Sequence, residues 1–209
     1  MDYSWSQVRK PSRWLGRLVL WRMNLSHSDL TDWGLSHVEI SKGFTILDVG
    51  CGGGRTIQKL AEVAAQGKVY GVDFAPGSLA ASSAKNKQLI QSGRVEIKQA
   101  SVSLLPFPDN YFDLVTAVET HYYWSDLVRD FQEILRVLKP NATFVLIAES
   151  YHRRSSSQAF QWLETRILKF RPPSVDEHRE VFLAAGFSEI QIFEDVKKGW
   201  LCGTGRKPM

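Results

Sequence analysis

The segment Ile46-Leu47-Asp48-Val49-Gly50-Cys51-Gly52-Gly53-Gly54 constrains this chain more than any other. A short apolar run passes directly into glycines interrupted only by Cys51, and a helical pattern begins at Thr56. A buried strand, a glycine turn and a helix in that order let backbone approach a ligand, while the helix start offers free N–H groups. Dinucleotide-binding proteins use a similar turn. Their G-x-G-x-x-G pattern, started at Gly50, would need glycine where this chain has Arg55, and an acid in the preceding strand is not part of it. Here Asp48 stands two residues before the first glycine, where a carboxylate can orient the loop or meet the ammonium of an amino-acid ligand.

A second run, Val69-Tyr70-Gly71-Val72-Asp73, ends in a carboxylate about 20 residues beyond the turn, and an acid so placed can accept both hydroxyls of a ribose. Its alternative is a helix N-cap. Further β-rich runs occur at Val95 to Lys98, Phe112 to Val118 and Thr143 to Ala148, short and rich in Val, Ile, Leu and Phe as buried parallel strands are. Helical patterns fall between them, at Thr56 to Ala65, Ser78 to Gln91 and Asp126 to Leu138, the last with Ser125 as N-cap and Pro140 as stop. Beyond these, Ala159, Phe160, Leu163, Ile167 and Phe170 form an apolar stripe that predicts a helical insertion at about 152–172. Ser174 with Glu177 makes a capping box for a helix through Ala185, ended by Gly186. Phe187 to Phe193 and Gly199 to Gly205 read as an antiparallel pair. Alternating strands and helices make the fold α/β.

With 209 residues, 44% hydrophobic and 23% charged, the chain has the composition of one globular domain, not of a disordered segment. Cys51 and Cys202 have no zinc or redox spacing, which fits a reducing, cytoplasmic setting. The apolar stretch from Leu15 is interrupted by Arg17, so neither a signal peptide nor a spanning helix is expected there. Residues 1–42 read as a basic, Trp-rich helical cap that holds Arg9, Lys10, Arg13, Arg17 and Arg22 with Trp5, Trp14, Trp21 and Trp33. Such a segment can act as a lid over a cleft or simply pack as a helix on the core. The domain proper is then 43–209.

Four motifs, in order, carry a family resemblance: Leu47 to Gly54; Gly71-Val72-Asp73; Leu105-Pro106-Phe107-Pro108-Asp109-Asn110-Tyr111-Phe112-Asp113; and Glu133-Ile134-Leu135-Arg136-Val137-Leu138-Lys139-Pro140. Over roughly Thr45 to Gly205 the chain resembles the class I S-adenosylmethionine-dependent methyltransferases, particularly the type 11 group that includes quinone-biosynthesis enzymes. The resemblance implies a Rossmann-like, seven-stranded, mostly parallel sheet with an antiparallel last strand and helices on both faces. It implies S-adenosylmethionine as donor and S-adenosylhomocysteine as product; no metal is expected, since no cluster of carboxylates and amides follows the fourth strand. Gly50 and Gly52 then resemble the turn beneath the amino-acid end of the donor, Asp73 the ribose acceptor, Phe74 an adenine neighbour, and Ser101 with Val102 the adenine-edge pair. Ser101 departs from the pattern, in which an aspartate is usual; an uncharged hydroxyl accepts more weakly from the adenine amine. Asn141-Ala142 also replaces the usual glycine pair.

After the fourth strand, Glu119-Thr120-His121-Tyr122-Tyr123-Trp124 places polar and aromatic groups at the carboxyl edge of the sheet, the expected acceptor site. Glu119 is expected to position the donor, and His121, Tyr122 and Trp33 to meet the acceptor. Methyl transfer is an in-line displacement at a sulfonium carbon, so the protein must align two molecules and, where needed, remove a proton. His121 has the intrinsic pKa for that proton, and its alternative is a hydrogen-bonded wall residue. An Asn-Pro-Pro-Tyr-like motif is absent, which disfavours nucleic-acid base methylation. The expected reaction is methylation of a small-molecule O, N, S or C nucleophile. The alternatives are an RNA or protein methyltransferase, or a binding protein that holds the donor without turnover.

Overall fold

The computed structural model describes residues 28–149 and 173–209. The segments expected as the basic part of a cap, 1–27, and as a helical insertion, 152–172, therefore lie outside the described residues. Strands β1 (Thr45–Val49), β2 (Lys68–Asp73), β3 (Val95–Gln99), β4 (Phe112–Val118), β5 (Leu138–Ala148), β6 (Ser188–Asp195) and β7 (Trp200–Arg206) form one seven-stranded sheet in the order β3-β2-β1-β4-β5-β7-β6. Neighbouring strands from β3 to β5 pair in parallel, and β7 runs antiparallel to both β5 and β6. This is the Rossmann-like sheet with an antiparallel last strand that the motifs imply.

Strand residues alternate between two cores because successive side chains point to opposite faces. Leu47, Val115, Phe144 and Leu146 face one core with Phe131, Ile134 and Phe182. Ile46, Leu114, Val145 and Ile147 face the other with Leu30, Ile57 and Leu60. Helices cover both faces: α1 (Ser28–Leu35), α2 (Arg55–Val63), α3 (Pro76–Lys85), α4 (Lys87–Gln91), α5 (Leu127–Val137) and α6 (Val175–Ala185). No helix among the described residues is long and apolar enough to cross a membrane.

Three local differences from the sequence expectations have identifiable causes. The single helix expected over Ser78 to Gln91 is two, α3 and α4, broken at Asn86. There the Asn86 amide turns inward and donates to the carbonyls of Gly54 (2.9 Å) and Ser82 (3.0 Å), so tertiary bonds with the glycine turn override helix continuation. The N-cap of α5 is Asp126, not Ser125, since the Asp126 carboxylate accepts from the Arg129 N–H. Finally, β5 begins at Leu138, with a register shift against β4 and Asn141 at φ 65°, so the turn after Pro140 is a kink within the strand. The capping box of α6 forms as expected, with Ser174 and Glu177 bonding reciprocally and Gly186 in the left-handed region at the end.

Two of the sequence motifs turn out to bind one another. Arg136 on α5 makes paired contacts with the Glu133 carboxylate and donates to the carbonyls of Phe107 (2.9 Å) and Leu105 (3.1 Å) and to Asp109 (2.7 Å), while the Leu105 N–H donates to Glu133 (2.8 Å). The guanidinium fork thus fixes the loop that enters β4. Arg136→Ala is expected to lower unfolding stability by roughly 2–3 kcal/mol in urea titrations, because these are charge-assisted bonds at a partly exposed site. Arg136→Lys is expected to restore little of it, since an ammonium cannot reproduce the fork.

Candidate active site

Parallel pairing brings the carboxyl ends of β1 to β4 to one edge of the sheet, where Asp48, Gly50, Gly52, Asp73 and Glu119 stand. The glycine turn after β1 is held from below by bonds from the N–H groups of Gly50 (2.8 Å) and Cys51 (2.9 Å) to the Val72 carbonyl. Asp73 at the end of β2 accepts from the Gly52 N–H (2.9 Å) and from the Ala75 N–H (2.8 Å). Its carboxylate therefore shapes the turn and ties it to Ala75, which is itself the N-cap of α3, so Asp73 is not the helix cap that the sequence offered as its alternative role. Asp48, 2% exposed, accepts from the Thr116 hydroxyl on β4 at 2.8 Å.

Gly50 and Gly52 both lie at positive φ, 72° and 49°, and differ in what a side chain would meet. A Cβ on Gly50 would overlap the Thr120 side chain. A Cβ on Gly52 would have the Gly50 carbonyl, 3.9 Å away, as its nearest neighbour, which leaves open space above the turn. Beside that space stand the buried Asp48 and the half-buried Asp73, which accepts from the Gly52 N–H.

Burial sets the electrostatics of this edge. It pushes the Asp48 carboxyl up to about 7, against the Thr116 hydroxyl that pulls it down and with the nearby Asp73 charge adding to the rise. The Asp73 carboxyl is also raised by burial, opposed by the N–H bonds of Ala75 and Gly52. Glu119, at φ 55° directly after β4, is pushed up to about 7 by burial and accepts bonds from the Glu149 N–H and the Tyr122 hydroxyl. Burial thus raises all three carboxyls, and a positive charge placed beside them would favour their ionised forms.

Phe74, 55% exposed, follows β2, and its carbonyl accepts from the Gln99 side chain at the end of β3. Ser101 and buried Val102 lie just beyond β3, where the Ser101 hydroxyl accepts from the Ser103 N–H at 3.2 Å. Trp33 packs against His37 and Trp200, with ring centroids 4.9 and 5.8 Å away. The Tyr122 ring packs against the His121 ring, centroids 4.1 Å apart and planes tilted by 43°. His121, in the 3₁₀ turn His121–Tyr123, is 1% exposed, and its Nε2 lies 3.1 Å from Nε2 of His178 on α6.

The methyltransferase domain family matches residues 47–146. The demethylmenaquinone methyltransferase of Geobacillus stearothermophilus is 30% identical over 182 residues, covering 76% of this chain and 76% of that protein. The chain belongs to the class I S-adenosylmethionine-dependent methyltransferases. An uncharacterized methyltransferase of Bacillus subtilis is 23% identical over 89% of this chain and 96% of its own length. A SAM-dependent methyltransferase from Aquifex aeolicus shares the fold, with a TM-score of 0.70 at 22% identity over 90% of this chain and 96% of that one.

In this methyltransferase, sequence reading missed two neighbours of the candidate site residues: Thr116 supports Asp48 from the adjacent strand, and His178 meets His121 from a helix far along the chain. Thr120 lay within the run expected at the acceptor site, but its packing against Gly50 was not foreseen. Of the two missed residues only His178 left a trace in the sequence, a histidine one turn after the capping serine of a helix.

If Asp73 holds the ribose, Asp73→Ala is expected to weaken S-adenosylhomocysteine binding at least tenfold, or about 1.4 kcal/mol, in calorimetry. Because the same carboxylate anchors Gly52 and Ala75, the variant should also melt at a lower temperature. Unchanged affinity in a folded variant would remove Asp73 from the donor site.

Proposed function

We propose that this methyltransferase moves the methyl group of S-adenosylmethionine to a small-molecule acceptor of the hydroxylated aromatic, quinol-like type, at the carboxyl edge of β1 to β4. The observation that carries this reading is the open space above Gly52, flanked by the buried Asp48 and the half-buried Asp73. The demethylmenaquinone methyltransferase likeness supports the acceptor class.

The bound donor supplies a methyl carbon on a positively charged sulfur, an electrophile that needs no further activation. The chain's own residues do the rest. Asp48 is assigned to the donor ammonium and Asp73 to its ribose; Phe74, Ser101 and Val102 line the adenine end, and Glu119 orients the methionine part. Alignment of acceptor and donor is the main source of rate. His121 takes the acceptor proton, with Trp33 and Tyr122 as aromatic walls.

The test is mass spectrometry of a cell extract incubated with the protein and a deuterated-methyl donor. One protein-dependent labelled small molecule is the expected result. Label in ribonuclease-sensitive material or in protein would replace the acceptor class. Donor binding with no labelled product in any fraction would make this a binding protein.

A further inference from the structure

The His121 and His178 rings are buried and meet nitrogen to nitrogen, which fixes their protons by elimination. Nδ1 of His178 lies 2.7 Å from the Ser174 carbonyl oxygen, which can only accept, so Nδ1 carries the hydrogen. In a neutral ring Nε2 of His178 is then an acceptor, and the 3.1 Å contact requires His121 to donate from its own Nε2. What remains is Nδ1 of His121, a bare lone pair with no hydrogen-bond partner among the described residues. An unpartnered buried acceptor costs free energy, and a site that keeps one uses it or fills it.

Burial lowers the pKa of both rings; the neighbouring His178 ring lowers that of His121 further, while the Ser174 carbonyl and Glu177 favour charge on His178. A proton arriving at Nδ1 of His121 leaves the Nε2–H···Nε2 bond intact and turns it into a charge-assisted one.

We propose that His178 is a positioning residue that presets the His121 tautomer, so that His121 Nδ1 is the atom that takes the acceptor's proton. This rests on the reading of His121 as the acceptor-step base. In the step, the acceptor X–H bond breaks and its proton passes to Nδ1. The X electron pair forms the bond to the methyl carbon, and the carbon–sulfur pair leaves with sulfur. The ring cation is then shared across the two Nε2 atoms, and His178 Nδ1–H stays on the Ser174 carbonyl.

The first test needs no acceptor and no variant. In ¹⁵N spectra of histidine rings in the full, ligand-free protein near pH 8, His121 should appear as the Nε2–H tautomer and His178 as the Nδ1–H tautomer. His121 carrying its hydrogen on Nδ1 would overturn the proposal. The second test uses His178→Phe, which removes the acceptor for His121, and His178→Gln, whose amide oxygen can replace it. His178→Phe should slow methyl transfer at least tenfold, part of the roughly 10²–10⁴-fold that a general base contributes, with donor affinity unchanged. His178→Gln should recover both the rate and the Nε2–H signal. If His178→Phe is as fast as wild type while His121→Ala is slow, the base reading stands and the positioning proposal falls. If His121→Ala is itself as fast as wild type, the base reading fails and takes the proposal with it.

Discussion

Replacing Gly52 by valine is expected to weaken S-adenosylhomocysteine binding by more than about 100-fold, or about 2.7 kcal/mol, while the protein still folds. The argument is steric and local. A Cβ at this position points into open space, with the Gly50 carbonyl 3.9 Å away as its nearest neighbour, so the fold has room for the side chain and a ligand lying on the turn does not. Some stability is lost, because φ is 49° and a β-branched residue in that region costs roughly 1–2 kcal/mol. Gly50→Ala gives the contrast: its Cβ would collide with Thr120, so that variant should lose thermal stability along with binding. Calorimetric titration beside a thermal melt separates the two effects. A folded Gly52→Val protein that binds within threefold of wild type would show that the turn faces away from the donor.

Strands β1, β2 and β4 were readable because burial leaves each a short, mostly apolar run between turn residues, whereas β3, at the sheet edge, alternates Val95 and Ile97 with the charged Glu96 and Lys98. The α6 capping box was readable because its chemistry is local, with Ser174 and Glu177 three residues apart. What the chain did not show was chemistry made by contacts across distance. The helix break at Asn86 exists because a side chain on α3's end reaches Gly54, and nothing in the sequence around Asn86 announces that partner. The Leu105 to Asp113 and Glu133 to Pro140 motifs were visible as strings. Their physical content is the Arg136 and Glu133 network that ties them together, and Asp113, which accepts from the Thr45 N–H (2.8 Å) and Lys139 (2.7 Å) at the base of the sheet. These residues build the platform, and Asp48, Gly52 and Asp73 stand on it. His121 was expected at the open cleft from its position after β4. The structure seats it under Tyr122 and against His178, because α6 packs over that turn.

Donor binding is expected to expel a proton and to strengthen as pH rises from 5 to 7, and Asp48 carries the reason. Its buried carboxyl is pushed up to about 7, so at pH 5 the ligand-free protein holds it neutral. An ammonium placed against it favours the carboxylate and lowers that pKa, so binding below pH 7 must release the proton first. With one such group, affinity should rise on the order of 50-fold between pH 5 and pH 7. Fold stability of the ligand-free chain should move the other way. The folded-state pKa of Asp48 lies above its unfolded value, so the native state binds more protons between about pH 4 and 7 and loses stability as pH rises through that window. Glu119, also raised to about 7 by burial, adds to both trends, which is why the decisive comparison is between proteins at a single pH. Calorimetry at pH 6 in two buffers of different ionisation heat counts the protons released. Asp48→Asn should release fewer than wild type and show a shallower pH dependence, with the Glu119 contribution left in place. Equal proton release from the two proteins would mean that Asp48 stays neutral under the donor, and the ammonium would then have to be met by another group.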